Sequence, residues 1–104
     1  MALMQITLIP LGTGSTSVGD YIADIVEVLE SSGLDYQLND MGTEVHGPAD
    51  DLFALAAKLH ARPFTRGLQR LVTHLTIDDR RDVDRKIGEK RAAVLRRVPG
   101  GNHP

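Results

Sequence analysis

The feature that most constrains the fold is the order in which two hydrophobic periodicities follow each other along the 104 residues. Apolar and polar residues alternate over 2–11, which predicts a strand, and apolar residues then recur at helical spacing over about 17–32. Two further alternating stretches, 35–39 and 43–46, are separated by the turn sequence Asp40-Met41-Gly42. The first half of the chain therefore predicts a strand, a helix and a hairpin.

The second half repeats this order with a helix and then a strand. Pro48 suits the first position of a helix that ends before Pro63. Its predicted buried stripe consists of Leu52, Phe53, Leu55, Ala56 and Leu59. Alternation over 68–78 predicts a fourth strand, and Asp82 is placed to cap a third helix that continues to about Arg97.

Local signals mark the ends of the first helix. Ser17 and Asp20 have the spacing of a capping box, and Gly33 is a natural C-terminal stop. The order β-α-β-β-α-β is that of the ferredoxin-like α+β sandwich. Right-handed crossovers give an antiparallel sheet in the order 4-1-3-2 with helices on one face. We expect one domain over 1–98, and a disordered tail over 99–104.

Composition excludes several classes of protein. The chain has no cysteine, which removes disulfide scaffolds and thiolate metal sites. Its formal charge of −2 and its four aromatic residues argue against a strongly basic nucleic-acid module. The apolar runs are far shorter than the roughly 20 residues of a transmembrane helix. We expect a soluble, cytoplasmic protein.

One face of the predicted sheet is not covered by the helices, and its side chains are mostly polar and uncharged. The predicted positions are Gln5, Thr7, Gln37, Asn39, Glu44, His46, Val72, His74 and Thr76. Antiparallel sheets commonly leave one face in water, so a solvated or oligomer-covered face is one interpretation. The other is a small-molecule site in which a few hydrogen-bonding groups fix a polar heterocycle between subunits.

Three segments are predicted to meet at one end of this sheet: Leu11–Gly14, the hairpin turn from Asn39 to Glu44, and Thr65–Arg70. The sequence Gly12-Thr13-Gly14 before a helix permits phosphate binding through backbone amides. Glycines in such turns are also used simply for positive φ, and no complete phosphate-loop motif is present.

Metal and nucleophilic chemistry is not indicated. His46 and His74 lie on strands that flank strand one, roughly 9.6 Å apart, too far to share a zinc ion directly. No serine, histidine and aspartate are spaced as a nucleophilic set. We therefore predict no metal, no cofactor and no enzymatic activity.

Several segments together resemble the small thiamine-binding protein family over about residues 3–97. They are Pro10-Leu11-Gly12-Thr13-Gly14, Ser17–Tyr21, Met41-Gly42-Thr43, Arg70-Leu71-Val72-Thr73 and Ile77-Asp78-Asp79-Arg80-Arg81. The resemblance implies a cytoplasmic, non-catalytic protein that binds thiamine or its hydroxymethylpyrimidine part. It also implies dimers that pair into a homotetramer, without nucleic-acid or membrane partners.

The ligand-binding residues that the resemblance implies are Thr13, Gly14, Asn39, Met41, Gly42, Thr43, Glu44 and Thr73. The chain differs from many relatives in having Thr73-His74 where they have two threonines, and Gly47 where they tend to be acidic. Alternation places Thr73 toward the helices, so a ligand contact there requires a bulge or a one-residue slip in register.

The same fold also supports other functions. A homo-oligomeric structural or regulatory module whose open sheet only pairs subunits is the main alternative. An acylphosphatase-like hydrolase would need an arginine in the first loop, and residues 12–16 contain none. RNA binding is disfavoured because the open face lacks aromatic platforms on which bases stack.

Overall fold

The computed structural model describes residues 1–14 and 18–100, and it confirms the α+β ferredoxin-like arrangement. Its elements are β1 (Ala2–Leu11), α1 (Gly19–Ser32), β2 (Asp35–Asn39), β3 (Gly42–Gly47), α2 (Ala49–Ala61), a 3-10 turn (Arg62–Arg66), β4 (Arg70–Asp78) and α3 (Glu89–Leu95). The sheet has the order β2-β3-β1-β4, with every pairing antiparallel, as predicted.

The core lies between the sheet and the first two helices. Even-numbered residues of β1 point toward the helices, where they meet apolar residues at helical spacing. The buried set is Ala2, Met4, Ile6, Ile25, Leu29, Val45, Leu52, Leu55, Ala56 and Leu59. Because the whole core is on one side of the sheet, the odd-numbered positions of β1 define the opposite, open face.

Most helix ends agree with the sequence signals. Gly33 follows α1 with φ of 70°, the left-handed conformation that glycine adopts without strain. Helix α1 begins at Gly19 after Val18, and the proposed cap Ser17 lies outside the described residues. Pro48 immediately precedes α2 instead of being its first residue, and Asp50 lies in the first turn.

Phe53 was predicted to be buried, and this is wrong: its side chain is 58% exposed. Leu52, Leu55 and Leu59 follow the i, i+3, i+7 spacing of one helix face. Phe53 is one residue, or about 100°, away from that face. Tyr36 on β2 is opposite the buried Val45 and faces the helices. Its hydroxyl donates to Glu30 on α1, and that hydrogen bond raises the pKa of the phenol.

The third helix is much shorter than predicted. The prediction is a helix from Asp82 to Arg97. The structure has a helix of only seven residues, Glu89–Leu95, and the chain before it is irregular. Gly88 has φ of 86°, a conformation that cannot lie inside a right-handed helix, so α3 begins only after it. Pro99 and Gly100 lie in a turn, and residues 101–104 of the predicted tail are outside the described residues.

The described part of the chain is elongated, with extents of 48 × 31 × 20 Å and a radius of gyration of 15.5 Å. A compact domain of this length has a radius of gyration of about 13 Å. No helix among the described residues is long and apolar enough to cross a membrane.

Candidate functional site

Strand register gathers four polar side chains into one row across the open face. Gln37 on β2 is opposite Glu44 on β3, which is opposite Gln5 on β1, which is opposite Thr76 on β4. Directly opposed residues in antiparallel strands share a face and lie about 4.5–5.5 Å apart. All nine positions predicted for the open face are on that face by this register. The row carries two amides, a carboxylate and a hydroxyl.

The segment after β4 turns back over one half of this face. We call residues 79–88 the C-terminal strap. Asp84 of the strap accepts a hydrogen bond from His46 on β3 at 3.0 Å, so His46 is a hydrogen-bonded sheet histidine with little exposure. That hydrogen bond lowers the pKa of Asp84. Beyond the strap, Lys90 on α3 pairs with Asp78 at the end of β4, with 2.6 Å between Nζ and Oδ2.

A cavity of about 600 Å³ lies between the polar row and this cover. We call it the open-face cavity. Its floor includes Gln5, Gln37, Glu44 and Thr76 of the row together with Asn39, and Lys86 and Arg91 contribute to its cover. Gln37 donates from Nε2 to Asn39 Oδ1 at 3.2 Å, which orients both amides. The volume falls within the 300–1,000 Å³ typical of small-molecule sites.

The charges that line the open-face cavity are only partly neutralised. Lys90 is paired with Asp78, but Glu44, Lys86 and Arg91 form no salt bridge within residues 1–14 and 18–100. The carboxylate is on the sheet side and both cations are on the cover side. The cavity therefore offers opposite charges at separate places.

The structure divides the eight candidate residues among four places. Asn39 and Glu44 line the open-face cavity. Thr43 and Thr73 face the helices: Thr43 is opposite Ile6, and Thr73 hydrogen-bonds His60 on α2 at 2.7 Å. The helix-facing prediction for Thr73 is thus confirmed.

The hairpin turn holds two more candidates. Met41 is 83% exposed, and its carbonyl accepts a hydrogen bond from the Thr7 hydroxyl at 3.0 Å. Gly42 lies so close to β1 that a Cβ there would stand 2.7 Å from Thr7 Oγ1. This turn positions β2 against the sheet, and thereby positions Asn39.

Thr13 and Gly14 lie beyond the end of β1, at a separate rim cavity of about 450 Å³ that Thr13 lines with Arg66 and Arg70. Gly12 and Gly14 both have positive φ, 73° and 71°. This agrees with the interpretation that these glycines are needed for the backbone conformation of the turn. The hairpin turn contacts Thr7, four residues before Leu11 and thus roughly 13 Å along the strand. The three segments predicted to meet at this end of the sheet, 11–14, 39–44 and 65–70, therefore do not form a single pocket.

The helix side carries a further groove of about 670 Å³ between α1 and α2. We call it the helix groove. Ser31 and Ser32 on its wall donate their hydroxyls to carbonyls of their own helix. Arg62 on the same wall pairs with Glu27 at 3.2 Å and lies 3.7 Å from Asp24.

Asp24 lies at the centre of an ion cluster at the end of the helix groove. It is largely buried, and Arg66 donates to both of its oxygens, at 2.5 and 3.0 Å. This hydrogen bonding holds the pKa of Asp24 below its ordinary value and raises the pKa of Arg66. Among the described residues no group of three or more histidines and carboxylates is arranged to hold a metal ion.

Lys86 and Arg91 were not among the sequence candidates. Their position depends on where an irregular segment folds, which periodicity does not encode. The available signal was Gly88, a helix breaker inside the predicted third helix, which indicates a change of direction between these two cations.

The fold and the open-face cavity together define a small ferredoxin-like α+β protein with a cavity of ligand size on its sheet. The chain matches the family described as thiamine-binding protein over residues 4–95, and it belongs to this family. It is 41% identical over 107 residues to a UPF0045 protein of Staphylococcus xylosus, a match covering 98% of this chain and 100% of that one. The UPF0045 protein YqgV of Bacillus subtilis is 40% identical, over 90% and 94% of the two chains.

Solved structures agree with this assignment. A hypothetical protein from Methanocaldococcus jannaschii superposes with a TM-score of 0.80 at 30% identity, over 89% of this chain and 94% of that one. A Thermotoga maritima protein superposes with a TM-score of 0.74 at 22% identity, over 89% and 97% of the two chains, which is a likeness of fold.

Proposed function

We propose that the protein is a non-catalytic, cytoplasmic binding protein for thiamine or its hydroxymethylpyrimidine part, and that the ligand occupies the open-face cavity close to a subunit interface. The observation that carries this proposal is the row of Gln37, Glu44, Gln5 and Thr76, which places amides, a carboxylate and a hydroxyl along one cavity floor.

The chemistry of this floor matches the ligand. An aminopyrimidine presents donors and acceptors on the same edge, and a side-chain amide supplies both an acceptor oxygen and donor hydrogens. The thiazolium ring carries a positive charge, and Glu44 is a carboxylate without a salt bridge in the described chain. A cation placed beside Glu44 would provide the missing partner.

The comparisons support the ligand class. The family is described as thiamine-binding, and the Thermotoga maritima structure is described as a candidate thiamine biosynthesis or salvage protein. Neither description names a reaction, and a binding role is the simplest function that agrees with both.

Self-association is part of the proposal. The half of the open face beyond the strap carries Ile9, Leu11 and Val72 in partly exposed positions, and the described chain is elongated for its length. Pairing through this half would cover apolar surface and place a subunit interface beside the cavity. We propose dimers that pair into a homotetramer, and a purely structural assembly module is the alternative.

Thermal unfolding tests the proposal. A ligand that binds only the folded state stabilises it by RT ln(1 + [L]/Kd), about 2.7 kcal/mol at a hundredfold excess over Kd. We expect millimolar thiamine or hydroxymethylpyrimidine to raise the midpoint temperature of unfolding. Because the role is non-catalytic, the ligand should be recovered chemically unchanged. Choline, a cation without a pyrimidine, should have little effect on the midpoint. An unchanged midpoint temperature with both ligands would contradict the proposal and would favour the alternative, a purely structural assembly module.

A further inference from the structure

The open-face cavity has a second polar subsite, on its cover, that the proposed function does not use. Lys86 from the strap and Arg91 from α3 both line the cavity. Each lacks a salt bridge within the part of the chain that the structure describes, whereas their neighbour Lys90 is held by Asp78 at 2.6 Å. Two of the three cations at this wall are thus available to a ligand.

The carboxylates that line the cavity do not neutralise these two cations either, since Asp78 is paired with Lys90. Glu44 lies on β3 in the floor and forms no salt bridge to either of them, so opposite charges line one cavity without reaching each other. A ligand with a cationic or hydrogen-bonding ring at one end and an anionic group at the other would satisfy both places. A ligand that has only the ring would leave Lys86 and Arg91 on the cover without an anionic partner.

We propose that Lys86 and Arg91 form an anion subsite and that the cavity prefers a phosphate ester of thiamine, or of its pyrimidine part, to the free alcohol. This inference rests on the proposed function, because the heterocyclic part of the ligand is taken to lie on the cavity floor. Arginine is suited to phosphate because its planar guanidinium donates two parallel hydrogen bonds, and lysine adds a compact charge.

The size of the preference follows from the exposure of the two side chains. Both are exposed to solvent, so the added interaction is screened by salt. One charge-assisted hydrogen bond that is weakened by this screening corresponds to about a tenfold change in affinity. We expect thiamine monophosphate to bind about tenfold more tightly than thiamine at low ionic strength, with a smaller ratio at high salt.

Isothermal titration calorimetry with thiamine and thiamine monophosphate tests this on the wild type and on the Lys86→Gln/Arg91→Gln variant. The variant should lose the preference for the ester, so that its affinities for thiamine and thiamine monophosphate become equal. Arg97→Gln is the matched control, because Arg97 is an exposed cation just after α3 that does not line the cavity. It should retain the full ratio, and inorganic phosphate should compete weakly with the ester in the wild type alone.

The possible failures are distinguishable. Equal affinity for the two ligands in the wild type, or a preference that survives in the double variant, overturns the anion subsite and leaves the proposed function intact. Absence of binding by both ligands overturns the proposed function, and the anion subsite with it. Circular dichroism on each variant confirms that a lost preference does not reflect unfolding.

Discussion

The helix groove and the open-face cavity have similar volumes, about 670 and 600 Å³, but they differ in the kinds of polar group that line them. In the helix groove Arg62 is paired with Glu27, and the serine hydroxyls bond to their own helix. In the open-face cavity Glu44, Lys86 and Arg91 have no salt bridge among the described residues. Asp51 and Lys58 of the helix groove also lack a salt bridge among the described residues, so unpaired charge alone does not mark a binding site. What distinguishes the open-face cavity is its side-chain amides, Gln5, Gln37 and Asn39, which line a strand floor beside Glu44 and have no counterpart in the helix groove.

The largest expected effect on stability concerns the hairpin that supplies Asn39 to the cavity. Gly42→Ala places a Cβ 2.7 Å from Thr7 Oγ1 and 3.1 Å from the Ile6 carbonyl oxygen. Such overpacking costs about 1–3 kcal/mol in the free energy of unfolding, measurable by urea titration. Gly19→Ala on the groove-forming helix α1 is the control, because nothing lies within 4 Å of the added carbon. Equal stability of the two variants would show that the approach of the hairpin to β1 is not close.

The ion cluster beside the helix groove predicts a pH-dependent contribution to stability. Arg66→Ala removes the donor to both oxygens of Asp24, and the thermal midpoint should fall by several degrees near neutral pH. The pKa of folded Asp24 is below its ordinary value of 3.8, so its contribution is complete above that value and is lost as the pH falls through the lower one.

The wild-type advantage over Arg66→Ala should therefore shrink below about pH 4. Arg81→Ala is the control, since among the described residues Arg81 forms a salt bridge only with Asp79, on the surface. An advantage that is independent of pH down to acid unfolding would contradict the role assigned to Asp24.

The strap should respond to loss of its link to the sheet. Asp84→Asn removes the carboxylate that accepts from His46, and trypsin should cleave the strap several-fold faster after its arginines and lysine. Asp82→Asn removes a carboxylate whose partners, Arg80 and the backbone amides of Asp82 and Val83, all lie within the strap itself, so cleavage should hardly change. Equal rates for the two variants would show that Asp84 does not hold the strap.

The smallest effect is expected at a candidate residue on the helix side. Thr73→Val removes the hydrogen bond to His60 and should cost about 0.5–1 kcal/mol of stability without changing the affinity for thiamine. Calorimetry with thiamine checks this. A weakened affinity at unchanged fold would mean that the ligand reaches the helix face.

The sequence predicts the sheet and its faces well because they depend on local alternation. Gln5, Glu44 and Thr76 lie on the open face as expected, since each strand has a period of two and register follows from the buried face. Phe53 is apolar but lies about 100° from the buried face of α2, and apolar character alone does not reveal that angle. The helical spacing of Val83 and Ile87 predicts a helix over most of the strap, although Gly88 interrupts it.

The candidate site could be predicted only in part for the same reason. Asn39 and Glu44 belong to regular strands, whose facing is readable from sequence. Lys86 and Arg91 reach the cavity through an irregular segment held by a long-range contact, His46 to Asp84, that no local pattern specifies. Thr43 and Thr73 come from the family resemblance, and their strand positions direct them to the helices.

The most direct test of the account compares one carboxylate from each of the two cavities. Thiamine affinity is measured by calorimetry for the wild type, Glu44→Gln and Glu27→Gln, where Glu27 lines the helix groove. We expect Glu44→Gln to weaken binding about tenfold or more, because a charge-assisted contact to the thiazolium is lost, and Glu27→Gln to leave it unchanged. Unchanged affinity in Glu44→Gln, or a greater loss in Glu27→Gln, would contradict the placement of the ligand on the open face.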